Sequence, residues 1–85
     1  MKVTLTTDGA TVEAHDLGPL LGLEPAEVPE KMRLGEITSQ SEEGADEDAG
    51  YTRLTFWYGG LRIRITCDQD GNVVKTSRTA ATNRH

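Results

Sequence analysis

The chain has 85 residues and a mass of 9.3 kDa, room for one hydrophobic core and no second. Hydrophobic residues make up 35% and charged residues 27%, a balance that suits a globular domain and excludes collagen-like, coiled-coil and membrane-spanning classes. No aliphatic run exceeds two residues, so neither a bilayer span nor a secretory apolar region is expected. A single cysteine cannot form an internal disulfide, so packing must supply the stability and the compartment is read as cytoplasmic.

The charge is divided. Residues 1–50 hold three basic groups against twelve acidic ones, a net −9, whereas residues 51–85 hold six against two, a net +4; the whole chain carries −5. Nucleic-acid affinity comes mostly from neutralising phosphates with Lys and Arg, so a chain this acidic is a poor general polyanion binder. The division can instead steer a partner or support pairing between copies.

Lys2 to Thr6 alternates polar and apolar side chains, the period of a half-buried strand. Asp8-Gly9 then suits a type I′ turn, which pairs Leu5 with Val12 and Val3 with Ala14 and puts all four on one face. Leu17, Leu20 and Leu21 make the apolar stripe of a short helix with Asp16 as its N-cap and Gly22 as its stop. Glu24-Pro25 opens a second helix. Regular hydrogen bonding there is expected to wait until Pro29, with Val28, Met32 and Leu34 as the buried side and Gly35 as the stop. Glu36 to Ser41 is polar apart from Ile37 and reads as an edge strand. Residues 42–50 carry five carboxylates and nothing to bury, and are expected to be an exposed loop.

The strongest local signal is the pair of β-rich runs Tyr51–Tyr58 and Leu61–Asp68, joined by Gly59-Gly60. A two-residue turn places Tyr58 opposite Leu61, Phe56 opposite Ile63, Leu54 opposite Ile65 and Thr52 opposite Cys67, a nearly all-apolar face. The other face collects Trp57 opposite Arg62, Thr55 opposite Arg64 and Arg53 opposite Thr66. Asp70-Gly71 then turns the chain into Asn72–Arg78, with Val74 opposite Cys67 inside and Lys75 opposite Thr66 outside. The architecture predicted is α+β: an antiparallel sheet in β-β-α-α-β-β-β order with a short helical pair packed on one face. Residues 1–78 form a single domain and residues 79–85 a frayed tail.

Catalytic chemistry finds little support. Cys67 points inward beside Ile65, Val74 and Thr52, a setting for a structural thiol rather than a nucleophile. His15 has carboxylates beside it but no second histidine or cysteine at ligand spacing. Asp68-Gln-Asp-Gly-Asn72 lacks the glycine offset and closing glutamate of a calcium loop and reads as a turn. No phosphate-cradling glycine loop, nucleophile elbow or zinc-protease motif occurs. No cofactor or metal is expected, and an enzyme would need an unrecognised site near Cys67 or His15.

The face bearing Arg53, Trp57, Arg62, Arg64 and Lys75, with Tyr51 at its margin, is the candidate binding site. Arginine and aromatic residues are enriched at interaction hot spots, and neighbouring Trp57 and Arg62 can form a cation–π pair. Three fates are open to this face. It can remain solvated, be covered by the acidic 42–48 loop of the same chain or of a second copy in a homodimer, or bind an external acidic partner or anionic ligand.

Two stretches carry resemblances. Asp16-Leu-Gly-Pro-Leu-Leu-Gly-Leu-Glu-Pro-Ala-Glu-Val-Pro-Glu-Lys-Met-Arg-Leu-Gly-Glu-Ile37 resembles the helix-turn-helix of excisionase and MerR-type winged-helix proteins. That likeness implies a nucleic-acid-binding regulator whose second helix shows Glu27, Glu30, Lys31 and Arg33 to the groove, where carboxylates meet phosphates unfavourably. Met32-Arg-Leu-Gly-Glu-Ile-Thr-Ser39, Glu47-Asp-Ala-Gly50, Arg53-Leu-Thr-Phe-Trp-Tyr58, Leu61-Arg62 and Asp70-Gly71 together resemble a family of short proteobacterial proteins of unknown function. This second resemblance spans the chain and implies a stand-alone module, with Arg53 linked to Glu47-Asp48. The reading that follows is a non-enzymatic interaction module that contacts an acidic protein surface or another copy of itself.

Overall fold

The computed structural model describes residues 1–6, 9–44 and 50–80. Along them run β1 (Val3–Thr6), β2 (Gly9–Val12), α1 (Ala14–Leu21), α2 (Glu27–Arg33), β3 (Thr38–Glu43), β4 (Thr52–Tyr58), β5 (Leu61–Cys67) and β6 (Val73–Ala80). The class is α+β as expected, with four strands after the helices where the predicted order gave three; the segment read as an edge strand is β3, shifted to Thr38–Glu43 so that it takes in the first two residues expected to be loop. The strands form two antiparallel sheets rather than one: β1 with β2, and a four-stranded sheet ordered β3-β4-β5-β6.

Gly59 and Gly60 join β4 to β5 with φ of 55° and 84°, the positive values that a two-residue hairpin turn demands and that glycine adopts without a steric penalty. The register is the predicted one throughout, from Tyr58 opposite Leu61 to Thr52 opposite Cys67, with Trp57–Arg62, Thr55–Arg64 and Arg53–Thr66 on the alternate face. Leu54, Phe56, Ile63, Ile65 and Cys67 are buried in one cluster with Val3, Leu17, Leu21, Val28 and Ile37. Fully burying an aliphatic or phenyl side chain contributes about 1.5–3 kcal/mol, so this cluster holds the two sheets and the helices together.

α1 starts two residues before the expected N-cap. Its first turn closes on the Glu13 carbonyl, which accepts from the Asp16 and Leu17 N–H groups at 3.0 Å each. Asp16 therefore lies inside the first turn, where its charge suits the positive end of the helix. Leu17 and Leu21 are buried as the stripe predicted, and Leu20 packs against the core. The glycine stops hold for both helices: Leu23 N–H to Gly18 O (2.8 Å) with Gly22 N–H to Pro19 O (3.3 Å), and Glu36 N–H to Lys31 O (2.9 Å) with Gly35 N–H to Met32 O (3.0 Å). Both are Schellman motifs. Pro29 is the third residue of α2, still in the first turn, where its missing N–H would have had no helical acceptor. Val28 is buried, but Met32 and Leu34 are 40% and 54% exposed. Burial thus fades along α2, whose N-terminal turn alone meets the core.

The first hairpin pairs Val3 with Val12 and Leu5 with Ala10, two residues away from the predicted register. A slip of two preserves side-chain parity, so the predicted apolar face survives with Ala10 in place of Ala14. Gly9 pairs with Thr6 as the first residue of β2 and so is not the central turn residue predicted; residues 7–8 lie outside the described residues. At the far end of the fold, Cys67 pairs with Val73, not with Val74, because a bulge falls between Thr66 and Cys67. The unpaired Val74 turns outward and is 55% exposed, as the extra residue of a bulge does. β6 continues through Thr79 and Ala80 opposite Arg62 and Leu61, two residues into the stretch expected to fray; residues 81–85 lie outside the described residues.

The two sheets are clasped at the β5–β6 turn. Val3 N–H donates to Gly71 O at 2.8 Å, and Lys2 bridges Asn72. Gly71 has φ 85°, and a Cβ there would overlap the Val3 carbonyl oxygen, whereas one at Gly35 (φ 79°) would meet nothing. Alanine in this left-handed region costs about 1–2 kcal/mol by itself. Gly35→Ala should lower the urea-derived stability by about that amount, and Gly71→Ala by clearly more, the difference reporting the clasp. Equal losses would show that Val3 does not press on this turn.

Candidate interaction face

Alternation along the four central strands sends every second side chain away from the helices. On that outer side the rungs read Thr38–Trp57–Arg62–Thr79, Gln40–Thr55–Arg64–Ser77 and Glu42–Arg53–Thr66–Lys75 across β3, β4, β5 and β6. All five residues chosen from the sequence, Arg53, Trp57, Arg62, Arg64 and Lys75, therefore lie on one surface. Ser77 was not among them; carrying the Thr66–Lys75 register two residues onward finds it opposite Arg64. Tyr51 precedes β4 and is exposed.

The face is basic on an acidic chain. Four cations stand against the single carboxylate of Glu42 in these rungs. Thr55, in the middle rung, is only 4% exposed, while Arg53, Trp57, Arg62 and Arg64 around it are half-buried. Arg53 Nη1 lies 3.5 Å from Glu42 Oε1, both side chains well exposed, a pair of the kind worth about 0–1 kcal/mol. Of the acidic segment, Glu42 and Glu43 belong to β3. Residues 45–49, including Glu47 and Asp48, lie outside the described residues. Between Arg53, Arg64, Thr66, Lys75 and Ser77 the surface sinks into an open depression of about 310 Å³. Arg64 Nε is shut off from solvent there and has no hydrogen-bond acceptor among the described residues.

Other candidate groups sit apart from this face. Cys67 is fully buried on the inner side; burial, and then the negative charge of Asp68, pushes its thiol pKa up, away from thiolate formation. His15 is exposed between Glu13 Oε1 at 3.9 Å and Asp16 Oδ1 at 3.8 Å, and among the described residues no group of three or more His, Cys, Asp or Glu side chains could hold a metal ion. No helix among them is long and apolar enough to cross a membrane. α2 exposes Glu27 and Glu30 next to Lys31 and Arg33, and Lys31 is taken up by Glu36 at 3.1 Å.

Asp68 builds the turn predicted for its segment. Its Oδ1 accepts from the N–H groups of Asp70 and Asn72, each at 2.9 Å. The Asn72 N–H, against an opposing desolvation and with further help from Asp70, the Asn72 side chain and Lys2, holds the carboxyl below the usual aspartate range.

A four-stranded antiparallel sheet, covered on one side by helices and bearing a basic face on the other, defines this chain as a small α+β domain. It belongs to a family of unknown function, DUF6522, whose family model matches residues 1–85. Comparison with curated proteins and with solved structures finds no match.

Two measurements follow from this arrangement. Cys67 should react slowly with a thiol reagent near neutral pH and rapidly once urea opens the core; fast native modification would mean an accessible, activated thiolate. Because the Asp68 pKa is lowered by folding, its contribution to stability is complete above the unfolded value of ~3.9 and is lost as pH falls through the folded value. Asp68→Asn should therefore be less stable than wild type near neutrality, with the gap closing in acid; a gap independent of pH would separate the loss from ionisation.

Proposed function

We propose that this protein is a non-enzymatic interaction module whose outer sheet face docks onto an acidic protein surface. The observation that carries the reading is the rung geometry: Arg53, Arg62, Arg64 and Lys75 surround Trp57 and Thr55 on the side of the sheet opposite the helices. A protein of net charge −5 that gathers four of its nine Lys and Arg residues on one face attracts negative partners there and repels them elsewhere, which favours orientation and rate of encounter. Trp57 and its arginine neighbours are the residue types that most often dominate binding energy. The buried, proton-retaining Cys67 and the exposed His15 favour this reading over an enzyme. The carboxylates on α2 favour it over a winged-helix DNA reader, since phosphates would meet Glu27 and Glu30.

A second copy of the chain is the other occupant with support. The helical side exposes Glu13, Glu24, Glu27 and Glu30, opposite the basic face, so one molecule can offer acid to the base of the next. Such a head-to-tail contact is heterologous and does not close by itself.

A dye-labelled oligo-glutamate peptide serves as the acidic probe. At low ionic strength wild type should bind it, and Trp57→Ala combined with Arg62→Ala should weaken binding by about tenfold or more while leaving the urea midpoint nearly unchanged. Preference for labelled duplex DNA over the peptide would transfer the face to nucleic acid. Sedimentation without peptide separates the second reading: self-association that dissolves with salt and disappears in the double variant supports the stacked copy.

A further inference from the structure

The depression on the outer face has a more specific chemistry than a general basic surface. Thr66 lies in its rung between Arg53 on β4 and Lys75 on β6, and the next rung supplies Arg64 beside Ser77. Two hydroxyls and three cations thus border about 310 Å³ of open space. Arg53 already faces Glu42 at 3.5 Å, which leaves Arg64 and Lys75 as the excess charge. Arg64 is unusual for a second reason: its Nε is withdrawn from water without gaining an acceptor among the described residues. Native structures pair the great majority of such buried donors, and a charged one left unpaired carries the largest penalty. A guanidinium in that state gains more from a planar acceptor than one that water already satisfies.

We infer that this depression is a carboxylate notch, in which Arg64, turned by side-chain rotation so that its Nε–H and an Nη–H point outward, clasps one Asp or Glu side chain of the acidic partner. The fork of a guanidinium matches the two oxygens of a carboxylate. Lys75 adds charge without geometry, and Thr66 and Ser77 offer hydroxyl donors at the floor. The inference rests on the proposed docking of an acidic partner and names the group that the partner inserts. Arg62 and Trp57, one rung further along, then act as the flanking contact rather than as the notch.

The test uses the full chain, ¹⁵N-labelled at arginine, with the oligo-glutamate peptide as ligand. The Arg64 Nε–H resonance should shift with peptide, and that of Arg78, which faces the other side of the sheet opposite Ile63, should stay in place. Arg64→Lys keeps the charge and removes the fork, so it should weaken the peptide about fivefold or more, whereas Arg78→Lys should leave affinity unchanged. Equal binding by wild type and Arg64→Lys would overturn the notch while leaving the docking face intact. Failure of wild type to bind the peptide at low salt would remove the docking reading itself. A larger Arg64 shift with inorganic phosphate than with an equal concentration of acetate would overturn the carboxylate assignment in favour of a phosphate site. If Arg64→Lys proves unfolded by circular dichroism, the wild-type Arg64 resonance decides: a stationary signal under saturating peptide overturns the notch.

Discussion

A hairpin turn of two residues leaves the chain no freedom in how its flanking strands face each other. Between β4 and β5 that turn is Gly59-Gly60, both at positive φ, and the period of two then assigns every side chain from Thr52 to Cys67 to one of two environments. Leu54, Phe56, Ile63, Ile65 and Cys67 enter the core. Arg53, Trp57, Arg62 and Arg64 are turned the other way. The hydrophobic surface that seats the helices and the charged surface that faces outward are thus two consequences of a single backbone constraint, and neither can be moved without the other.

The remaining elements complete the inner side. α1 and α2 lay Leu17, Leu21 and Val28 over the sheet, β1 adds Val3, and Ile37 closes the cluster as the chain enters β3. The edges are polar. β3 offers Ser39, Gln40 and Ser41 with two glutamates, and β6 offers Lys75 and Arg78. Charged and hydroxylated edges discourage pairing with foreign strands, which under the proposed function leaves the broad outer face as the docking surface.

Much of this was legible in the order of residues, and the limits have physical causes. The β4–β5 register could be read because an apolar and a basic set alternate without a break, so a one-residue slip would mix them. The glycine stops at Gly22 and Gly35 were legible for a similar reason, since each follows a periodic run and meets a requirement few other residues satisfy. The first hairpin was misplaced by two residues because Val3, Leu5, Val12 and Ala14 satisfy the same parity as the actual set, leaving only turn chemistry to choose between them. The bulge at Val74 could not be foreseen. Val73 and Val74 are equally apolar, and only tertiary fit selects which one opposes Cys67. Met32 and Leu34 keep the spacing of a buried stripe, yet α2 touches the core through its first turn alone. For the outer face, the five basic and aromatic positions emerged from alternation. Ser77 was within reach of the same alternation, two residues past Lys75, whereas the under-satisfied Nε of Arg64 shows only once the neighbouring side chains are placed.

The clasp between Val3 and Gly71 ties together segments near opposite ends of the chain. Contacts this distant in sequence close a large loop, at an entropic cost that grows only slowly with its length. The leading hairpin is therefore anchored by a turn that lies far from it in sequence, and a change that loosens either partner releases both.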